Sequence, residues 1–368
     1  MAKKKNSRNK NNAIQNVVCN SAQYGLIPQN DFFDKEIAND LNTDKYSVIE
    51  FGDFVYNPRI SNAAPYGPIN VYRGMEKGVV SPLYFVFTVS GIDKTFLLYR
   101  FQSPCWYRFM YLNGDSGARS DRVSIRDDVF LSQSLFVPEE EEQRKIGQFF
   151  EFLDRRIAVQ NKIIEDLECL RNGLVHLLNN DGTCETKTIG EVFEISKEKL
   201  GSNMDMPVFT ASAKNGLVDE ETYFKKKISG DDKTNYQIIR KGDFVYSKSS
   251  SKDAPFGALI KFTGVIGLVS PLYWVLKPKK LISEGALEAW FSSSHASSQF
   301  QRKCQGGARN HGMLNIALSD FLSIRLWADI PARIKDARHL LKKKIDRENK
   351  LLNAYQKEKT FLLNAMFI

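Results

Sequence analysis

Cysteine is sparse in this chain of 368 residues: Cys19, Cys105, Cys169, Cys184 and Cys304 are scattered, odd in number and nowhere spaced C-x-x-C. That excludes a disulfide scaffold and a cysteine-ligated zinc site, and it fits reduced thiols in a cytoplasm. No run of eighteen apolar residues occurs and the first residues have no signal-peptide pattern, so neither membrane insertion nor secretion is expected. Histidine is as scarce: His176, His295, His311 and His339 lie far apart and read as structural or solvated groups. There is no Gly-rich phosphate loop of the Walker type, no G-x-G-x-x-G after a strand, no H-E-x-x-H and no G-x-S-x-G. Together these absences argue against an enzyme working through its own residues, and no metal or cofactor is expected in this chain.

What is present is ordinary in bulk and basic in balance. Hydrophobic residues make up 42% and charged residues 26%, as in a folded globular protein, and the length suits two domains. Lysine and arginine number 52 against 43 acidic residues, a net charge of +9 that is compatible with a nucleic-acid partner. The opening MAKKKNSRNKNN is basic and polar with no apolar run behind it, so residues 1–15 read as a disordered basic arm.

Residues 138–180 are dominated by one long helix. Pro138 marks its start, and Ile146, Phe149, Phe150, Leu153, Ile157, Ile164, Leu167 and Leu174 recur at steps of three, four and seven. That is a stripe close to a coiled-coil seam. About forty residues at 1.5 Å each give a rod of roughly 60 Å, which needs a partner to cover it. The run Glu139–Glu142 at its start complements the helix macrodipole more simply than it suggests a metal site.

The rest of the chain is a tandem duplication. GDFVY at 52–56 recurs at 242–246, A-P-Y-G at 64–67 as A-P-F-G at 254–257, and VSPLY at 80–84 at 269–273. G-A-R at 117–119 recurs at 307–309 and F-L-S at 130–132 at 321–323, in unchanged order. An offset near 190 residues is far too long for a solenoid repeat. The duplication reaches the helices, since Ile334, Ala337, Leu341, Ile345, Leu352, Tyr355 and Leu362 form a second stripe in 331–368. Residues 139–179 hold nine acidic and six basic residues, whereas 331–368 hold four and ten, so the two helices attract. Direct antiparallel pairing of the helices is the expectation, with burial of the stripes as the main stabilising term.

Within each unit the coarse pattern is α+β. DFVY, VVSPLYFVFTV and FLLYRFQ read as strands, and 284–300 reads as helical. Each S-P-L-Y, at 81–84 and 270–273, is faintly similar to the (N/D/S)-P-P-Y motif of amino-methyltransferases, but the second proline is missing and no glycine-rich methyl-donor motif precedes it. Both fit better as strand entries with proline first. The second unit opens with TKTIGEVFEISKEKLGS (186–202), for which the first unit has no evident counterpart.

The loops between matching blocks differ in sequence, as expected where two copies of one scaffold read two different targets. Asn57, Arg59, Ser61, Asn62 and Tyr66 crowd one, and Lys248, Ser249, Ser250, Ser251, Lys252 and Phe256 crowd the other. Arg119 and Arg309 sit in the paired G-A-R segments, and Lys214 and Asn215, within MPVFTASAKNGL, join them. Such side chains supply donors for phosphates and base edges, so all fifteen are DNA-binding candidates.

These paired blocks, and above all PEEEEQRKIGQFFEFLDRRIAVQNKIIEDLECLRNGLVHLL (138–178), resemble the specificity subunit of type I restriction–modification systems over nearly the whole chain from about residue 17. The resemblance implies target-recognition domains at 16–137 and 181–330, and long conserved helices at 138–180 and 331–368. It further implies that the helices pair as an antiparallel coiled coil and set the spacer between the halves of a bipartite duplex-DNA site. The subunit would be non-catalytic and cytoplasmic. It would position two modification subunits, which methylate adenine with S-adenosylmethionine, and restriction subunits, which translocate and cut DNA with ATP and magnesium. The second helix departs from the pattern, carrying RIKDARHLLKKKID in place of E-Q-x-x-I-x-x-F-F. A coiled-coil adaptor for protein partners, without DNA binding, is the competing reading.

Overall fold

The computed structural model describes residues 2–29, 43–115, 121–179, 184–201, 206–212, 215–224, 229–230, 232–251, 254–279, 283–304 and 312–367. Arg119, Lys214, Lys252 and Arg309 lie outside the described residues. The chain forms two compact units, Met1–Lys162 with Glu348–Ile368, and Ile163–Arg347.

The first unit holds eight strands: β1 (Ala2–Lys4), β2 (Val18–Ser21), β3 (Gly25–Pro28), β4 (Ser47–Ile49), β5 (Phe54–Tyr56), β6 (Ile69–Val71), β7 (Gly78–Val80) and β8 (Phe85–Val89). An antiparallel sheet of order β1-β8-β5-β6 is its centre, with hairpin β2–β3 and pair β4–β7 alongside. Three helices follow: α1 (Lys94–Gln102), α2 (Tyr107–Asn113) and α3 (Asp127–Leu131). Phe54, Tyr56, Phe87, Leu97, Trp106 and Phe130 fill the core between sheet and helices.

Two expectations are corrected here. The basic stretch expected as a loose arm is ordered from residue 2 on: Ala2 pairs with Val89 and Lys4 with Phe87 along the open edge of β8. Acidic groups wait for its lysines, with Lys5 Nζ donating to Asp53 (2.6 Å) and Glu50 (3.0 Å) and Lys4 bonding Asp127. FLLYRFQ is helical rather than extended. Asp93 caps α1 by accepting from the Phe96 amide at 2.8 Å, and Phe96, Leu97, Arg100 and Phe101 are buried at helical spacing. Aromatic β-propensity yields to that capping and packing.

The second unit repeats this plan. Its strands are β9 (Thr186–Thr188), β10 (Phe193–Ile195), β11 (Val208–Ser212), β12 (Gly216–Asp219), β13 (Gln237–Arg240), β14 (Phe244–Ser247), β15 (Ala258–Lys261), β16 (Ile266–Val269), β17 (Trp274–Pro278) and, late in the chain, β18 (Arg325–Trp327). The sheet β10-β17-β14-β15 matches β1-β8-β5-β6 strand for strand. Because β1 stands where β10 stands, the lead-in does have a counterpart in the first unit; among the described residues only β9 and the short helix Ile189–Val192 lack one. The expected helical stretch 284–300 forms two helices, Glu284–Phe291 and Ser294–Lys303, separated by a Ser293 cap.

The repeated motifs have common physical causes. In GDFVY the glycine adopts a positive φ (+87° at Gly52, +97° at Gly242), which only glycine does without strain. The aspartate closes the turn, Asp53 accepting from the Glu50 amide at 2.7 Å and Asp243 from the Arg240 amide at 2.8 Å. Phe, Val and Tyr then enter the core strand. In A-P-Y-G and A-P-F-G a Cβ on the glycine would lie 2.0 Å from the Asn57 carbonyl oxygen and 2.2 Å from that of Ser247. S-P-L-Y is a turn ahead of the strand rather than its first residues, closed by the Tyr84 amide on Ser81 O (2.9 Å) and the Tyr273 amide on Ser270 O (3.1 Å).

Two long helices, labelled α4 (Glu140–Asn179) and α5 (Ala332–Met366), complete the chain. In the first unit Phe150 stacks on Phe367 (5.7 Å), Arg156 covers the Tyr355 ring (3.8 Å), and Gln160 Nε2 donates to Glu348 (2.8 Å). In the second, Arg338 Nη1 donates to the Arg171 carbonyl at 2.7 Å, and Val175 and Leu178 share a buried cluster with Ile334. Rising numbers on one helix meet falling numbers on the other, so the helices pair antiparallel in each unit.

Candidate nucleic-acid interface

In each unit one loop is laced to a later segment by a single antiparallel bridge. In the first unit the Ile60 amide donates to Asp121 O and the Val123 amide to Pro58 O, both at 3.0 Å, which sets Arg59 opposite Arg122. In the second the Ser250 amide donates to Gly312 O (2.7 Å) and the Leu314 amide to Lys248 O (2.9 Å), setting Ser249 opposite Met313. The G-A-R segments precede these bridges in sequence and lie outside the described residues.

The candidate side chains divide into surface groups and supports. Arg59, Ser61 and Asn62 are exposed. Asn57 is corrected to a support: it is buried, its Nδ2 donates to Asn20 O at 3.1 Å, and its Oδ1 accepts from the Arg59 amide at 3.1 Å. Asn20 Nδ2 in turn donates to Val55 O (2.8 Å), and Asn70 Nδ2 to Asn20 Oδ1 (2.7 Å). Three asparagines thus tie the β2–β3 hairpin to the loop, and the tip residues Gln23 and Tyr24 are exposed beside them. Tyr66 is likewise half-buried, its ring 5.1 Å from Tyr107, while its carbonyl accepts from the Tyr56 hydroxyl at 2.9 Å.

The second loop follows the same division. Phe256, half-buried, stacks on Phe300 at 5.4 Å and its carbonyl accepts from Tyr246 Oη at 2.6 Å, so it anchors the loop. Ser250 Oγ donates to Pro255 O (2.9 Å) and Ser251 Oγ accepts from the Ala254 amide (3.1 Å), both closing the turn. Ser249 and Ser251 remain exposed. Lys248 Nζ lies 4.8 Å from the Trp274 ring centroid, a cation–π contact that fixes its charge at the loop base. Asn215 is exposed at the turn of the β11–β12 hairpin. That hairpin is held differently from its counterpart, through Tyr273 Oη, which contacts Thr210 Oγ1 at 3.2 Å.

Behind the first loop lies a groove of about 1620 Å³, lined among others by Tyr24, Asn70, Met75, Tyr107, Arg155 and Lys359. Its charges are largely spent internally, with Arg73 on Glu151 (2.9 Å) and Lys359 on Asp154 (2.5 Å). The strongest carboxylate shifts belong to bracing pairs away from the loops. Lys77, then Lys5, hold Glu50 down to about 2, and Arg240 holds Glu198 down to about 2. Among the described residues no group of three or more His, Cys, Asp or Glu could hold a metal ion, and no helix is long and apolar enough to cross a membrane.

On the long helices the expected seam is present with one exception. Phe150, Leu153, Ile164, Ile334 and Ile345 are buried, and Ile146, Ile157, Leu167, Leu174, Leu341, Leu352, Tyr355 and Leu362 are partly so. Phe149 is corrected: it is 41% exposed because it falls one residue off the 4-3 spacing of Ile146, Phe150, Leu153 and Ile157. It belongs instead to a second apolar stripe, which continues with Phe152 and Val159 in the first unit. Ile163, Leu170 and Leu177 extend the same spacing along α4 in the second. The polar residues Gln160, Arg171, Arg338 and Glu348 occupy the same heptad register, although an apolar periodicity does not mark them.

The class of protein this defines is a duplicated α+β scaffold, each copy carrying a variable loop and each followed by one of two antiparallel helices. No family model matches the sequence, and no curated protein does. Among solved structures, the fold is shared with a chain from the structural basis of complex assembly and conformational transition of the type I R-M system, at 14% identity and a TM-score of 0.55, covering 98% of this chain and 91% of that one. Two others are similar to this chain: the S subunit of a type I restriction-modification system from M. genitalium (13% identity, TM-score 0.48, covering 100% of this chain and 93% of that one) and the HsdS subunit from Thermoanaerobacter tengcongensis (15%, 0.41, 90% and 84%).

Proposed function

We propose that this chain is the DNA specificity subunit of a cytoplasmic type I restriction–modification complex. Each unit reads one half of a bipartite site, and the paired helices set the spacer. Catalysis resides in partners: modification subunits using S-adenosylmethionine, and restriction subunits using ATP and magnesium. The observation that carries this reading is the repeated bridge beneath two loops of different sequence, one scaffold holding two different surfaces. The exposed stripe of Phe149, Phe152 and Val159 is the face offered to modification subunits. A net charge of +9 supplies the long-range attraction for duplex DNA.

The test is methylome sequencing of cells that carry the chain with its modification subunits. Replacement of residues 57–67 is expected to change one half-site and leave the other. An unchanged methylated sequence would remove that loop from base reading. Assembly with protein partners but no salt-sensitive DNA binding would favour the adaptor.

A further inference from the structure

Arg59 and Arg122 are directly opposed in an antiparallel bridge, where side chains emerge on the same face of the ladder. Like charges so placed destabilise a strand pair, and here nothing in the backbone requires them, since the equivalent bridge of the second unit holds Ser249 and Met313. Among the described residues, Asp121 is the carboxylate that both guanidiniums act on. Asp121 contacts Arg122 through both oxygens at 3.3 Å, and it is held below the usual carboxylate range by Arg122, with Arg59 adding to the effect. Two cations sharing one anion leave a positive charge unmatched. Arg59 is exposed and its backbone amide is fixed from beneath by Asn57, so the loop backbone that carries it needs little ordering when it meets a ligand.

We infer that Arg59 and Arg122 form a phosphodiester clamp on duplex DNA that is confined to the first unit, positioning that loop on the backbone while neighbouring side chains read bases. The inference rests on the DNA-specificity reading and deepens it. Phosphate would supply the counter-charge that the free protein lacks, and planar guanidiniums match it in bidentate geometry. The second unit, with Ser249 and Met313 at the bridge, leans on Lys248 for charge near its loop. The two half-sites therefore differ in how far their binding rests on ion release.

The experiment uses the full chain assembled with its modification subunits, and a duplex oligonucleotide carrying the sequence that the complex methylates. Affinity is measured by anisotropy across a series of sodium chloride concentrations. Each neutralised phosphate contact contributes about 0.9 to the slope of log K against log salt. Arg59→Gln and Arg122→Gln should each make the slope shallower by about that amount, while Arg126→Gln, which removes an exposed charge paired with Asp128 at 3.0 Å, should not. In the DNA-free protein Arg122→Gln should hold or raise the melting temperature, because a repulsion has been removed. A lowered melting temperature with an unchanged slope would make Arg122 a brace for Asp121 and overturn the clamp. Equal slope changes for Arg126→Gln would also overturn it, as an effect of net charge alone. If the unsubstituted complex shows no salt-dependent DNA binding, the specificity reading itself falls, a result distinct from either.

Discussion

Asn57 and Asn62 share a loop and a side chain, and they should behave oppositely on substitution. Asn57 joins the β2–β3 hairpin to the loop through a carbonyl 37 residues away. Asn57→Ala leaves buried groups without partners, so a stability loss of about 1–3 kcal/mol is expected in urea denaturation. Asn62→Ala, on the surface, should stay within about 0.5 kcal/mol. Composition marked both asparagines equally; only the partner across the fold separates them, and no local signal encodes it. A second residue-scale expectation concerns acid. Glu50 and Glu198 have folded-state values of about 2, below the ordinary carboxylate value near 4.5, because Lys77 and Arg240 respectively bond the charged form. A depressed carboxylate adds stability that is present above its unfolded value and is lost as pH falls through the folded one. Unfolding followed between about pH 4.5 and 2 should show this loss, and Glu50→Gln and Glu198→Gln should flatten it. An unaltered pH profile in the double variant would show that other carboxylates control the acid limit.

At the scale of elements, the helices were the most legible part of the chain, because a heptad repeat is written in residue identity alone. What the apolar pattern could not reveal is the set of polar residues inside the seam. Gln160 Nε2 reaches both the side chain (2.8 Å) and the carbonyl (3.1 Å) of Glu348, an arrangement suited to fixing helix register. Gln160→Leu should cost about 1 kcal/mol or more by stranding the carboxylate, whereas Gln160→Leu with Glu348→Leu should recover most of it. A double-mutant cycle by chemical denaturation measures the difference. On the opposite face, Phe152 is 64% exposed, so Phe152→Glu should leave the melting temperature unchanged yet prevent co-purification with modification subunits. The misread element, α1, shows the limit of propensity: its aromatic run favours strand locally, and the Asp93 cap with core burial reverses it.

For the whole molecule, the duplication was readable from GDFVY, A-P-Y/F-G and S-P-L-Y, and the matching sheets repeat it in backbone form. The start of the chain was not readable, because its lysines resemble a solvated tail until the acidic partners Glu50, Asp53 and Asp127 come into view. One consequence of the proposed function belongs at this scale. A matched seven-residue insertion in both long helices adds about 10 Å of rise. The spacer should lengthen by about three base pairs, at about 3.4 Å each, with both half-sites intact. Methylome sequencing checks this, and a fixed spacer would end the role of the helices as its determinant.

The paired backbone bonds beneath each loop have a practical meaning. Pro58, Ile60, Asp121 and Val123 in one unit, and Lys248, Ser250, Gly312 and Leu314 in the other, join through main-chain atoms, so these bonds add to the side-chain anchors without depending on side-chain identity. They form a socket with two fixed pins, into which different inserts fit without rebuilding the sheet below. Random libraries at the exposed Asn62 and Ser249, with the anchors Tyr66 and Phe256 and the matching glycines Gly67 and Gly257 kept, should therefore fold as readily as the parent chain. Each clone would differ in what its surface greets, and a single scaffold would become a source of many recognition variants.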